Sequence, residues 1–174
     1  MLNTAGISRF TNEQMDMVRL GIGLYGVSPS NTDEGLKTVS TLKTTILQIK
    51  ELKSGESVGY SRKEVLERPS RIAAIPIGYA DGMDRHLGNR NGYVFVNGCK
   101  APIVGNICMD VCMIDVTDID CKEGDRVEIF GENLPVTEIA DILGTIPYEI
   151  LTSVSGRVKR VYSVSYTHLR AHET

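Results

Sequence analysis

The sequence predicts a mainly β fold with a few short helices, built around a barrel-like sheet from about residue 39 to 164. Three observations point to it. Apolar residues recur mostly at the two-residue period of half-buried strands. Turn-forming pairs such as Asn97-Gly98 separate the runs. Helical spacing is confined to one short stretch near the start and two near the end. A chain of 174 residues, 41% of them hydrophobic, can bury one good core.

Taken in order, Thr11-x-x-Gln14 has the spacing of a helix capping box and predicts a short helix over 12–17. The apolar, glycine-dotted run at 18–26 reads as a buried strand. Residues 27–38 are polar and turn-rich, and mark the boundary between two structural units. Strands follow at 41–52, 71–77 and 93–96, the last entering a tight hairpin at Asn97-Gly98. The series continues at 103–104, 111–116 and 126–130. A helix is expected over 137–143, with Thr137 as N-cap and Gly144 as its stop, and a second over 148–154.

Composition narrows the function. Nineteen Lys+Arg against 22 Asp+Glu leave a net charge of −3, and neither sign forms the run that would bind nucleic acid. No apolar stretch reaches the length of a membrane span, and Met1-Leu2-Asn3-Thr4 lacks a secretory layout, so a soluble cytoplasmic protein is expected. Cys99, Cys108, Cys112 and Cys121 include no C-x-x-C pair; Cys108 and Cys112 fall in an apolar run. Buried free thiols are expected, and no metal site.

Six fragments set polar side chains among glycines and apolar strands: Asn3-Thr4-Ala5-Gly6, Arg19-Leu20-Gly21-Ile22, Gly59-Tyr60-Ser61-Arg62, Gly78-Tyr79-Ala80-Asp81-Gly82, Ile107-Cys108-Met109-Asp110 and Pro147-Tyr148-Glu149-Ile150. In order and spacing they resemble the alanine racemase family over about residues 3–162. The resemblance implies a C-terminal β-domain at 39–164, preceded at 1–38 by the last strands of a truncated (β/α)8 barrel that binds pyridoxal 5′-phosphate. Phosphate sites of such barrels lie after the last two strands, which agrees with that placement. It also implies interconversion of L-alanine and D-alanine, supplying D-alanine for peptidoglycan, by a homodimer whose active site is shared between chains.

Racemisation removes the α-proton from one face and returns one to the other, so two bases must flank the substrate. The resemblance makes Tyr60 one of them. A free phenol titrates near pH ~10, so a phenolic base at neutral pH needs cations close by. The other base is the family's cofactor lysine, which belongs to the barrel's early part and is absent here; the isolated chain is therefore expected to be inactive. Arg19 matches the residue that faces the cofactor's pyridine nitrogen, and an arginine does not readily give up its proton. Thr4, the backbone N–H groups of Gly21 and Ile22, and Tyr148 match the phosphate donors, Thr4 standing where the family pattern has serine. The Met109 N–H matches the contact to the substrate carboxylate, with Asp110 supporting its loop. Tyr79 and Arg85 match the substrate entrance.

Two alternatives remain at this level: a racemase of serine-type or broad specificity, and a β-domain that only mediates association. A related decarboxylase would carry a different cysteine-centred motif where this chain has Asn106-Ile-Cys-Met-Asp110. Residues 165–174 depart from the family pattern and are expected to be a non-native or disordered tail.

Overall fold

A computed structural model describes residues 1–29 and 35–163. The expected tail at 165–174 lies outside the described residues. The chain runs through α1 (Thr4–Arg9), β1 (Leu42–Thr45), β2 (Gln48–Leu52), β3 (Ser57–Val58), β4 (Glu64–Val65), β5 (Ser70–Ile75), β6 (Tyr93–Val96), β7 (Cys99–Val104), β8 (Cys112–Asp115), β9 (Arg126–Phe130), α2 (Val136–Leu143) and α3 (Pro147–Ser153).

Seven strands form one sheet in the order β1-β9-β6-β7-β8-β5-β2, and β3 and β4 form a separate two-stranded hairpin. Every paired strand is antiparallel. The sheet's two edge strands, β1 and β2, are consecutive in the chain and joined only by Ile46 and Leu47. Such a link spans no more than about 10 Å, so the sheet must curl until its edges meet. Backbone bonds hold the seam: the Ile46 N–H donates to the Asp125 carbonyl and the Leu47 N–H to that of Ala74, both at 2.9 Å. Ile46 is buried at the junction, with Ile75, Val94, Val96, Ile103, Ile114 and Val127 filling the interior.

The β6–β7 hairpin pairs Val96 with Cys99. Its two-residue turn has Asn97 at φ 49° and Gly98 at φ 79°, the left-handed pair that Asn-Gly adopts most cheaply. Helix α2 buries Val136, Ile139 and Ala140 on one side and stops at Gly144, φ 67°, as expected.

Five local expectations are corrected. The first helix is α1, not 12–17: the Asn3 side chain caps it by accepting from the Gly6 N–H at 3.0 Å. Thr11–Glu13 is only a 3₁₀ turn, Met15 at φ 51° cannot continue a helix, and Gln14 donates to the Ile7 carbonyl instead of closing a capping box. The apolar run at 18–26 is not a strand. Val18 makes a single bridge to Leu2, Ile22–Tyr25 is a 3₁₀ turn, and Leu20, Leu24 and Tyr25 stay exposed because no strand lies beside them to pair. Residues 41–52 divide into β1 and β2 at the seam. Pro135, rather than Thr137, precedes α2, its carbonyl accepting from the Glu138 N–H at 3.0 Å. Of the cysteines, Cys112 lies in β8 and is buried, which pushes its thiol up to about 12, but Cys108 lies in the preceding loop and Cys99 is exposed.

The N-terminal segment is seated on α2 and α3 through two residues. Ile22 and Val27 pack with Val136 of α2, against Ile150 and Leu151 of α3. That packing fixes where the N-terminal segment meets the side chains of α3.

Candidate active site

Thr4 opens α1 and is 6% exposed, its hydroxyl oxygen turned toward the turn at Gly21. It accepts from the Gly21 N–H at 2.9 Å and the Gly23 N–H at 3.5 Å. The Tyr148 hydroxyl, from α3, accepts from the Ile22 N–H at 2.8 Å. Two hydroxyls and two consecutive amides thus converge; the amides donate to the hydroxyl oxygens here, and all four are groups of a kind that donates to an anion. Gly21 leaves the space between the hydroxyls open: a Cβ there would stand 2.8 Å from the Tyr148 hydroxyl oxygen and 3.6 Å from that of Thr4. This cradle fits a phosphate by the chemistry of its donors. Arg19 lies two residues before Gly21: its N–H donates to the Leu2 carbonyl at 2.7 Å, and its exposed side chain has no bonded partner among the described residues.

A second group is built from loops at the end of the curled sheet. The Tyr79 and Ala80 N–H groups donate to the Cys108 and Met109 carbonyls at 3.0 and 3.1 Å. Gly78 lies so close to those carbonyls that any side chain there would collide with them. With its carbonyl engaged, Met109 keeps its N–H without a partner among the described residues, in a half-exposed loop. Arg157 clamps the two loops from outside, Nε donating to Asp81 Oδ1 at 2.7 Å and Nη2 to Asp110 Oδ1 at 2.6 Å. Asp81 also accepts from the Gly78 N–H at 2.9 Å. The Arg85 guanidinium stands 6.0 Å from the centre of the Tyr79 ring.

Tyr60 sits at the tip of the β3–β4 hairpin, 73% exposed. Gly59, Ser61 and Arg62 around it have φ of 76°, 65° and 49°, a strained turn that throws the ring outward. The Asn106 side chain donates to the Tyr60 carbonyl at 3.2 Å, tying the turn to the loop that carries Met109.

The sequence-named residues therefore fall into two groups. Thr4, Gly21, Ile22 and Tyr148 meet at the cradle, whereas the Arg19 side chain makes no hydrogen bond with them among the described residues. Tyr60, Tyr79, Arg85, Met109 and Asp110 gather on the loops, and no hydrogen bond among the described residues joins Tyr60 to the cradle. A cleft of about 530 Å³ runs between α3 and the Tyr79 turn, but includes neither Tyr60, Met109 nor Thr4. Sequence reasoning missed Arg157, Asp81 and Asn106. Their signal is faint, since Arg157 is 76 residues from Asp81 and 47 from Asp110.

Burial pushes the Asp81 carboxyl up, but the Arg157 and Gly78 hydrogen bonds outweigh it and leave it below the usual range. A depressed folded-state value contributes stability above the unfolded carboxylate's titration, and that stability is lost as the pH falls through the folded one. The loops at 78–82 and 105–111 are thus expected to loosen below about pH 4. Amide exchange in those loops at pH 3 no faster, relative to the sheet, than at pH 6 would show that the clamp adds nothing.

The fold and the two groups define a curled antiparallel β-domain that carries an anion cradle on its N-terminal approach and an exposed tyrosine beside an unpaired backbone donor. Residues 39–162 match the model of the alanine racemase C-terminal domain, and the chain belongs to the alanine racemase family. Alanine racemase 1 of Clostridium acetobutylicum is 44% identical over 169 residues, covering 92% of this chain and 44% of the relative. The alanine racemase of Halothermothrix orenii is 46% identical over 168 residues, with 92% and 44% covered. Among solved structures, the alanine racemase of Bartonella henselae with covalently bound pyridoxal phosphate superposes with a TM-score of 0.88 at 43% identity, covering 93% of this chain and 46% of that one. That of Bacillus anthracis with bound L-Ala-P gives 0.81 at 36%, covering 90% and 42%. The chain spans less than half the length of these relatives. Among the described residues, no helix is long and apolar enough to cross a membrane.

Proposed function

We propose that this chain is the C-terminal portion of an alanine racemase that uses pyridoxal 5′-phosphate, with residues 1–38 closing the cofactor's barrel and the β-domain supplying one proton carrier. The observation that carries the reading is the cradle, where the Gly21 and Ile22 N–H groups meet the Thr4 and Tyr148 hydroxyls although 126 residues separate Ile22 from Tyr148. When bound, the cofactor supplies the electron sink that acidifies the substrate's α-proton. Thr4, Tyr148 and the two amides hold its phosphate, and Arg19 faces its pyridine nitrogen. Tyr60 moves the proton at its phenolic oxygen on the L-alanine face. The free Met109 N–H orients the substrate carboxylate, Asp110 fixes that loop through Arg157, and Tyr79 and Arg85 border the entrance.

The family resemblance implies a homodimer in which each tyrosine serves the partner's cofactor, and the exposed position of Tyr60 on its hairpin is compatible with that. Four free cysteines fit the reducing cytoplasm. The test joins this chain to the N-terminal barrel of the Clostridium acetobutylicum relative. The joined protein is expected to racemise alanine, and the 174-residue chain is not. A joined protein that folds, dimerises and binds the cofactor yet leaves alanine unchanged would sink the reading.

A further inference from the structure

The tyrosine hairpin is a small and poorly supported element. Its strands, β3 and β4, have two residues each and pair only with one another. Its apolar support is a cluster of Val58, Leu66, Ile72 and Val104, all below the tip. Yet the tip must hold a reactive oxygen in place, and small misplacements of a catalytic group cost large factors in rate.

Polar contacts to the hairpin trace back to one dipeptide. Asn89 and Arg90 are both left-handed, at φ 55° and 64°, a conformation that asparagine tolerates and arginine disfavours. Their N–H groups are held by the end of β7, Asn89 donating to the Gly105 carbonyl at 2.8 Å and Arg90 to that of Ile103 at 2.7 Å. From this base the two side chains reach different points of the hairpin. The Asn89 amide donates to Asn106 Oδ1 at 3.1 Å, and Asn106 donates to the Tyr60 carbonyl. Arg90 Nε donates to Glu64 Oε1 at 2.5 Å, at the start of β4 where the tyrosine turn ends, while Nη2 reaches Asp115 Oδ2 of β8 at 3.2 Å. Glu64 and Asp115 are only 13% and 11% exposed, so the guanidinium separates two largely buried carboxylates. Asp115 has Thr117 as a further partner, whereas the Glu64 side chain has only Arg90 among the described residues.

We propose that Asn89 and Arg90 are positioning residues for Tyr60, holding both ends of its turn against the sheet; this rests on the reading of Tyr60 as the proton carrier. Removing Arg90 takes from Glu64 its one side-chain partner among the described residues and leaves it near Asp115, so the end of the turn lifts and Tyr60 moves with it.

The backbone supplies a clean test, because glycine takes φ near +60° more readily than arginine does. Arg90→Gly therefore removes the guanidinium without adding backbone strain. In the 174-residue chain, amide exchange over 57–66 is expected to rise at least about tenfold, while Ile75, Ile103 and Ile114 keep their protection. Exchange over 57–66 within twofold of the parent, or an equal rise throughout the sheet, would overturn the proposal. In the chain joined to a barrel, loss of α-deuterium from L-alanine should fall at least about tenfold and that from D-alanine much less, with Arg90→Lys recovering part of the difference. An equal fall for both enantiomers would mark Arg90 as a general stabiliser. Should Tyr60→Phe leave exchange from L-alanine intact, the functional reading fails, and the amide exchange still decides whether the dipeptide holds the turn.

Discussion

Tyr60→Phe in the joined enzyme is expected to nearly stop solvent exchange of the α-deuterium of L-alanine, while exchange from D-alanine stays measurable. The substitution removes only the phenolic oxygen. The ring is 73% exposed and its hydroxyl has no bond among the described residues, so stability should change by no more than about 0.5 kcal/mol. A positioned proton carrier contributes roughly 10²–10⁴-fold, which sets the size of the loss. Ordinary rate measurements would hide the asymmetry, because the two enantiomers have equal free energy and kcat/KM must fall alike in both directions. Isotope exchange escapes that constraint, since the base on the D-alanine face can take its proton and trade it with water without completing the turnover. Each α-deuterated enantiomer is incubated with the variant and loss of label followed separately. Equal retention of exchange from both would make Tyr60 a bystander on an exposed hairpin.

Gly21→Val is expected to weaken cofactor binding by about 100-fold, corresponding to about 3 kcal/mol. The new side chain would enter the space between the Tyr148 and Thr4 hydroxyls, where a Cβ alone stands 2.8 Å from the first. Two donors to a charged group are then displaced. The rest of the fold should be little affected, because Gly21 lies outside the buried interior and the nearest obstacles are side-chain oxygens, not backbone. Cofactor dissociation measured by fluorescence on the joined enzyme would read the effect. Affinity within twofold of the parent would mean that the phosphate is held elsewhere.

The sheet was legible in the sequence because its signals are local. Alternation in Tyr93–Val96 and the Asn97-Gly98 turn each name their own conformation. The N-terminal segment was not, because an apolar run such as 18–26 becomes a strand only if another strand lies beside it. Here the nearest is a single bridge at Leu2, and Ile22 is buried against helices instead. Helix α1 was hidden for a different reason: Thr4–Arg9 has little apolar periodicity, and the cap at Asn3 is its main signal. The site divides the same way. Residue types suited to the chemistry, such as Tyr60, Arg19 and Tyr148, stand out in their motifs, but the contacts that aim them are long-range. Nothing near Tyr60 in the sequence points to Asn106, and nothing near Asp81 points to Arg157.

The seam at Ile46 and Leu47 also bears on the order in which the domain can assemble. Strand β2 finds its partner, β5, soon after it in the chain, with Leu52 opposite Ser70. Strand β1 must wait for β9, whose Phe130 lies opposite Leu42. Until that last strand arrives, one side of the sheet remains an open row of unpaired amides and carbonyls, the surface through which β proteins join to one another. Closure of such distant contacts is slow compared with helix formation, so the interval is long on the scale of chain collapse. A ribosome stalled short of Phe130 would therefore display the same sticky edge that the finished domain hides.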